Sequence, residues 1–156
     1  LYCFSNAAQT GEMIKIRYCL IPYLYRELEK AAEEDTMMFR PLAFDFREDP
    51  MAAEVEDQLL LGEELMIAPI YRQNANGRYV YLPEEMMLVR MRTWQDYDTE
   101  ILSAGHHYIR ALLHEVIFLI RKGKAIPFGQ PARNTAELDL SSLKLLGYPD
   151  AADQTE

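Results

Sequence analysis

The sequence predicts an α+β protein in which a helical N-terminal part is followed by an antiparallel β-sandwich. Between Thr10 and Glu34, Ile14, Tyr18, Ile21, Tyr25, Leu28 and Ala32 recur at intervals of three and four, the period of one helical stripe. A second, shorter helix is signalled by Asp49 as N-cap, Pro50 at the first helical position and Gly62 as the stop. Beyond Gly62 the apolar segments are short, rich in β-branched and aromatic residues, and separated by turn signals, the pattern of a sandwich.

Within the first helix, Pro22 interrupts the stretch RYCLIPYLYRELEKAA. A proline removes a backbone donor and crowds the carbonyl one turn earlier, so a kink is expected there. In MMFRPLAFDF the period changes: Leu42, Phe44 and Phe46 alternate with Ala43 and Asp45, which suits a strand over 37–46 with Pro41 at an edge or near its start. LMIAPIY then reads as a buried strand, RQNANGR as a hairpin turn around Asn76-Gly77, and YVYLP as the returning strand. MLVRM, HYIRA, VIFLI, KAIPF and LKLLGY supply further strands, with a hairpin at Lys122-Gly123-Lys124.

The chain has 156 residues, 49% of them hydrophobic, enough for one domain or two small ones with a core. Its formal net charge of -9 offers no concentrated cationic footprint for nucleic acid. No apolar run approaches the roughly 20 residues needed to span a bilayer, so no membrane partner is expected. Cys3 and Cys19 form neither a disulfide framework nor a metal spacing. The start at Leu1 and the polar DAADQTE end read as cut ends.

Candidate chemistry is sparse. Glu54, Glu56 and Asp57 cluster on the second predicted helix, where a solvated face accounts for the first two and a buried structural role is expected for Asp57. His106, His107 and His114 could be read as ligands, but His106 and His107 are adjacent on a strand and face opposite ways, so no metal centre is expected. Tyr18, Tyr23 and Tyr25 are candidates for a sugar-stacking platform, but Tyr18 and Tyr25 share the apolar stripe and are read as packing. Lys122-Gly123-Lys124 lacks the glycine spacing of a phosphate loop. No nucleophile elbow or other triad signal is visible.

The order of the segments is more specific than any of them alone. IRYCLIPYLYRELEKAAEED, FRPLAFDFREDP, DQLLLGEELMIAPIY, GRYVYLPEE and VIFLIRKGKAIPF, over residues 16–128, together resemble the C-terminal part of the catalytic region of glycoside hydrolase family 31, the α-glucosidase family. The resemblance implies that residues 1–63 are the end of a (β/α)8 barrel, with two helices and one strand, and that 64–156 are the proximal C-terminal β-sandwich. It implies structural roles for Arg17, Tyr18, Pro22, Tyr23, Tyr25, Arg40, Pro41, Asp57, Gln58 and Gly62. Asp57-Gln58 would bond backbone where barrel and sandwich join, and packing on the barrel would offset the hydrogen bond lost at Pro22. Arg47 and Ile117 stand where the family usually has proline.

Family 31 enzymes are retaining exo-acting α-glycosidases that use two aspartates, one as nucleophile and one as general acid and base, without metal or organic cofactor. Both aspartates would lie upstream of Leu1, so no catalytic or substrate-binding residue maps onto this chain. The expected function is that of a part of an α-glucosidase hydrolysing terminal α-linked glucose from oligosaccharides, silent by itself, with apolar surfaces that have lost the barrel expected either to drive self-association or to let Met37–Phe46 add to the sandwich sheet. The alternative is a non-catalytic carbohydrate-binding or scaffold module using exposed Trp94, Tyr97 and Tyr108. A bacterial cytoplasmic location is expected by analogy alone.

Overall fold

A computed structural model describes residues 7–149; Cys3 and the polar C-terminal end lie outside them. Helix α1, Ala7–Glu33, runs through Pro22 as one element. Its buried side chains are Ile16, Cys19, Tyr23 and Glu27, not the stripe expected from the periodicity. Tyr25 and Leu28 of that stripe are 59% and 55% exposed. The helix carries two apolar sides, and Ile14 and Ile16 point about 200° apart around its axis. Periodicity identifies both sides without saying which one is covered.

Near Pro22 the helix backbone is engaged from outside, since the Gly129 N–H donates to the Cys19 carbonyl at 2.9 Å. The Cys19 thiol is buried, and burial pushes its pKa up to about 11.

The predicted ten-residue strand is shorter. Strand β1 is Phe39–Pro41, and the chain then turns into a single helical turn, α2, Leu42–Asp45. Arg40 closes this turn with a two-pronged grip on Asp45, Nε to Oδ1 at 3.0 Å and Nη2 to Oδ2 at 3.2 Å. The second helix is also shorter than expected: α3 spans Pro50–Glu54, with the Asp49 carboxylate accepting from the Met51 and Ala52 N–H groups. Leu59–Leu61 is strand β2, because consecutive leucines there feed both faces of a sheet.

The remaining strands are β3 (Leu65–Ile67), β4 (Gly77–Leu82), β5 (Met86–Met91), β6 (Tyr97–Leu102), β7 (Gly105–Arg110), β8 (Val116–Arg121), β9 (Lys124–Phe128) and β10 (Lys144–Tyr148). A six-stranded sheet has the order β1-β2-β3-β8-β5-β6, and two-stranded sheets pair β4 with β7 and β9 with β10. Every pairing is antiparallel.

Both faces of the large sheet are covered. Leu61, Leu65, Met87, Val89, Met91, Phe118 and Ile120 pack with Ile16, Cys19 and Tyr23 of α1 and with Ile126 and Phe128 of β9. Their chain neighbours Leu60, Met66, Met86, Leu88 and Leu119 pack on the other side with Val80, Leu82 and Ile109 of β4 and β7. The unbroken apolar run in β5 and the one in β8 are therefore the mark of a doubly covered sheet.

Two expected hairpins are absent. β3 pairs with β2 and β8 while β4 pairs with β7, so residues 68–76 cross between sheets. Gly77 serves close packing: a Cβ there would lie 2.5 Å from the Ile109 carbonyl oxygen. Lys122-Gly123-Lys124 likewise passes the chain from β8 to β9, whose ladder partner is β10. Strand β6, at the edge of the sheet, carries no local strand signal, because its sequence YDTEIL is mostly exposed and lacks alternation.

Gly62 turns β2 into β3 with φ +62°, and a Cβ on it would come within 2.5 Å of Glu27 Oε2 and crowd the Tyr23 hydroxyl. Gly62→Ala is expected to cost about 1–3 kcal/mol from backbone strain alone, read as a lowered urea midpoint with unchanged slope; an unchanged midpoint would contradict this account of the turn.

Candidate functional site

The carboxylates can be tested for catalytic character first. A general acid needs a pKa raised toward neutrality. Asp45, Asp49 and Asp57 are all shifted the other way. At Asp45 desolvation works upward but is outweighed by the guanidinium groups of Arg40 and Arg121. At Asp49 the Tyr81 hydroxyl and the N–H groups of α3 hold the carboxylate ionised. At Asp57 burial is again outweighed, here by Arg78 and the Tyr71 hydroxyl. These are carboxylates held by cations and caps, suited to fastening rather than proton transfer.

The fastening converges where the first 63 residues meet the strands after them. Gln58 is buried and aligned like a strand segment: its Nε2 donates to the Tyr81 carbonyl at 2.7 Å and its Oε1 accepts from the Tyr81 N–H at 2.8 Å. Tyr23 reaches from α1 to donate to the Leu61 carbonyl at 2.5 Å, with Glu64 Oε2 at 3.1 Å, and burial pushes its phenol well above the ordinary range. Arg26 bridges Glu27 and Glu64, at 2.9 Å from each. Arg40 adds a bond to the Gly62 carbonyl at 3.1 Å. Asp45 then passes the chain of charges to Arg121 at 2.8 Å, which also holds Glu84 at 2.5 Å and lies over the Phe46 ring.

A different environment lies on the side of β4 and β7 away from the core. Tyr79 stands opposite Tyr108 and Tyr81 opposite His106 in the ladder. The first pair meets edge to face at 5.1 Å between centroids, and the second is tilted at 4.9 Å. Beside them a groove of ≈ 370 Å³ is lined by Asp57, Tyr71, Arg78, Tyr79 and Tyr108, among others.

The model of the glycosyl hydrolase family 31 C-terminal domain matches residues 35–126. The chain belongs to glycosyl hydrolase family 31. "Alpha-glucosidase 2" of Bacillus thermoamyloliquefaciens is 33% identical over 124 residues, covering 78% of this chain and 15% of that protein. An α-glucosidase of Schizosaccharomyces pombe is 29% identical over 150 residues, 93% of this chain and 15% of its own length. The chain thus spans about a seventh of the length of these curated relatives. Among solved structures, a family 31 dextranase of Flavobacterium johnsoniae superposes with a TM-score of 0.73 at 22% identity, over 92% of this chain and 17% of that one. A family 31 α-xylosidase of Xanthomonas citri gives 0.68 at 24% identity, over 84% and 14%. The shared fold is the helix-bearing antiparallel β-structure described above.

In this family 31 chain Tyr23, Arg40 and Gly62 come together at the junction, and Gln58 bonds Tyr81 nearby. Pro41 ends β1, and Pro22 lies beside Gly129. Arg17 and Tyr25 are exposed and Tyr18 is half-buried, away from that group. Asp57 is not buried; its side chain is 42% exposed and pairs with Arg78. Of the aromatics expected at an exposed sugar surface, Trp94 packs against the core, whereas Tyr108 is exposed. Sequence reasoning missed Arg121, Glu64 and Arg78, since ion pairs between residues distant in the chain leave no local spacing.

Gln58→Leu would leave the Tyr81 N–H and carbonyl without their partner at a cost of about 2 kcal/mol or more, detectable as a fall in unfolding free energy that Gln58→Glu only partly repairs. Because Asp45 has a depressed pKa in the folded state, its ion pairs stabilise above the unfolded value of about 4 and are lost as pH falls through the folded value. Asp45→Asn should therefore flatten the acid limb of stability against pH while lowering stability at pH 7. An acid limb identical to that of the parent sequence would show that Asp45 contributes nothing to it.

Proposed function

We propose that this chain is the C-terminal part of a retaining α-glucosidase that removes terminal α-linked glucose from oligosaccharides. The observation that carries this reading is the family match over residues 35–126 in a chain whose curated relatives include proteins named α-glucosidase. Residues 1–63 are assigned to the end of the (β/α)8 barrel and 64–156 to the proximal β-sandwich, with β1 and β2 as the strands by which the first part joins the large sheet. The exposed side of α1, with Tyr25 and Leu28, and the exposed Phe39 and Phe44 are assigned to contact with the rest of the barrel.

Retention requires a nucleophilic carboxylate and an acid/base carboxyl about 5–5.5 Å apart, the second protonated when the glycosidic bond breaks. Asp45, Asp49 and Asp57 are each held ionised by a partner of their own, which supports placing the catalytic pair in another part of the enzyme. This chain then contributes the mount: its junction of ion pairs and side chain to backbone bonds would set how the sandwich sits against the barrel. No metal or organic cofactor enters such a mechanism.

Release of p-nitrophenol from its α-glucoside is the deciding assay. The 156-residue chain alone should release none, and a longer polypeptide that includes the barrel should turn over. Release by the chain alone would overturn the assignment and make Asp45, Asp49 and Asp57 the first residues to replace. Preference of the longer protein for the α-xyloside would overturn the substrate class. In light scattering the isolated chain should run larger than a monomer; a monodisperse monomer would contradict the role given to its exposed apolar side.

A further inference from the structure

Strands β4 and β7 present two unlike faces. Val80, Leu82 and Ile109 are buried against the large sheet, and the alternate residues Tyr79, Tyr81, His106 and Tyr108 form a ladder of rings in which Tyr79 and Tyr108 face solvent and Tyr81 is half-buried against the core. Tyr79 is 72% exposed and Tyr108 57%, so beyond their cross-strand contact the two rings present surface to solvent. Gly77 leaves room for the Tyr108 ring to lie where it does, since a Cβ there would stand 2.9 Å from the Tyr108 hydroxyl. Across the groove Tyr71, 66% exposed, has Arg78 over its ring at 5.7 Å.

The polar groups of the groove are held in place. Arg78 donates through Nη1 to the Asp57 carbonyl at 3.1 Å and the Pro69 carbonyl at 2.8 Å, and through Nε to the Tyr79 carbonyl at 3.1 Å. Its Nη2 grips Asp57 Oδ2 at 2.5 Å, and the Tyr71 hydroxyl donates to the same oxygen at 3.2 Å. The outcome is an oriented, partly exposed carboxylate beside three exposed phenol rings.

We propose that this face is a non-catalytic binding platform for an α-linked glucan chain, with Tyr79 and Tyr108 stacking on pyranose rings and Asp57 accepting hydrogen bonds from sugar hydroxyls. A pyranose has an apolar C–H face, which suits the electron-rich face of a phenol, and a rim of hydroxyl donors, which suits a fixed carboxylate. A nucleic acid is disfavoured by the chain's net charge of -9. The choice of an α-glucan rests on the activity proposed above; the platform itself rests on the rings and the carboxylate.

Affinity electrophoresis of the 156-residue chain through gels containing dextran or glycogen tests this directly. Retardation by the polysaccharide is expected, with Tyr79→Ala and Tyr108→Ala each weakening it about fivefold or more. Asp57→Asn should weaken it as well, while Tyr25→Ala, an exposed tyrosine on α1, should not. Thermal melts confirm that each variant is folded, and Tyr71→Ala reads the same face if one of the others is not. Mobility unaffected by polysaccharide, or retardation equal in all variants, overturns the proposal and makes the rings a seat for protein. Retardation by a β-glucan in place of the α-glucans overturns the sugar assigned. Tyrosine-dependent retardation together with no α-glucoside hydrolysis by the longer protein supports the platform while overturning the activity, so the two readings fail separately.

Discussion

A sheet buried on both faces is the constraint from which the rest of this structure follows. β5 and β8 send alternate side chains into two separate cores, and neither core closes unless a second layer covers it. On one side the cover is the β4–β7 ribbon with the short helices. On the other it is α1 with β9. The ribbon can therefore be only half apolar, and its outer face is free to carry polar and aromatic chemistry. Two strands are marginal by themselves, so the ribbon takes its rigidity from the sheet beneath.

Polar contacts then fix how the layers meet. Hydrophobic burial is non-directional and would tolerate sliding between layers, whereas a side-chain amide paired with both backbone groups of Tyr81 tolerates little. The same holds for Arg40 and Arg121, which clasp Asp45 from two sides and tie residues 76 positions apart in sequence. Isolated surface ion pairs contribute little. Here the guanidinium groups are largely covered and also bond carbonyls or stack on a ring, so geometry is specified together with charge.

Much of the fold could be read from the chain. The first helix, the N-cap at Asp49 and the strands in VIFLI and KAIPF have strong local signals, and all of them are present. Errors arose where local chemistry has two solutions. Asn76-Gly77 looks like a hairpin turn, yet the strands that flank it are claimed by different sheets. The apolar stripe through Tyr25 is real, but the opposite stripe through Tyr23 is the one in contact. Asp57 reads as a buried junction residue next to Gln58, but on an extended segment neighbours face opposite ways, and only Gln58 points inward. Tyr71, Tyr79 and Tyr108 are spread over 38 positions, and only the β4–β7 register brings the last two together.

The contact between α1 and β9 has a kinetic side. Residues 16–23 complete their core only against residues 126–128, and the Cys19 carbonyl receives its external donor from Gly129. Roughly a hundred residues must be ordered between the two, so this closure carries a loop entropy that the local strand pairs do not. The sandwich can begin with the neighbouring β5 and β6, whereas seating the first helix is a late step of high contact order. Helix α1 thus gains its β9 cover only after most of the intervening strands are in place.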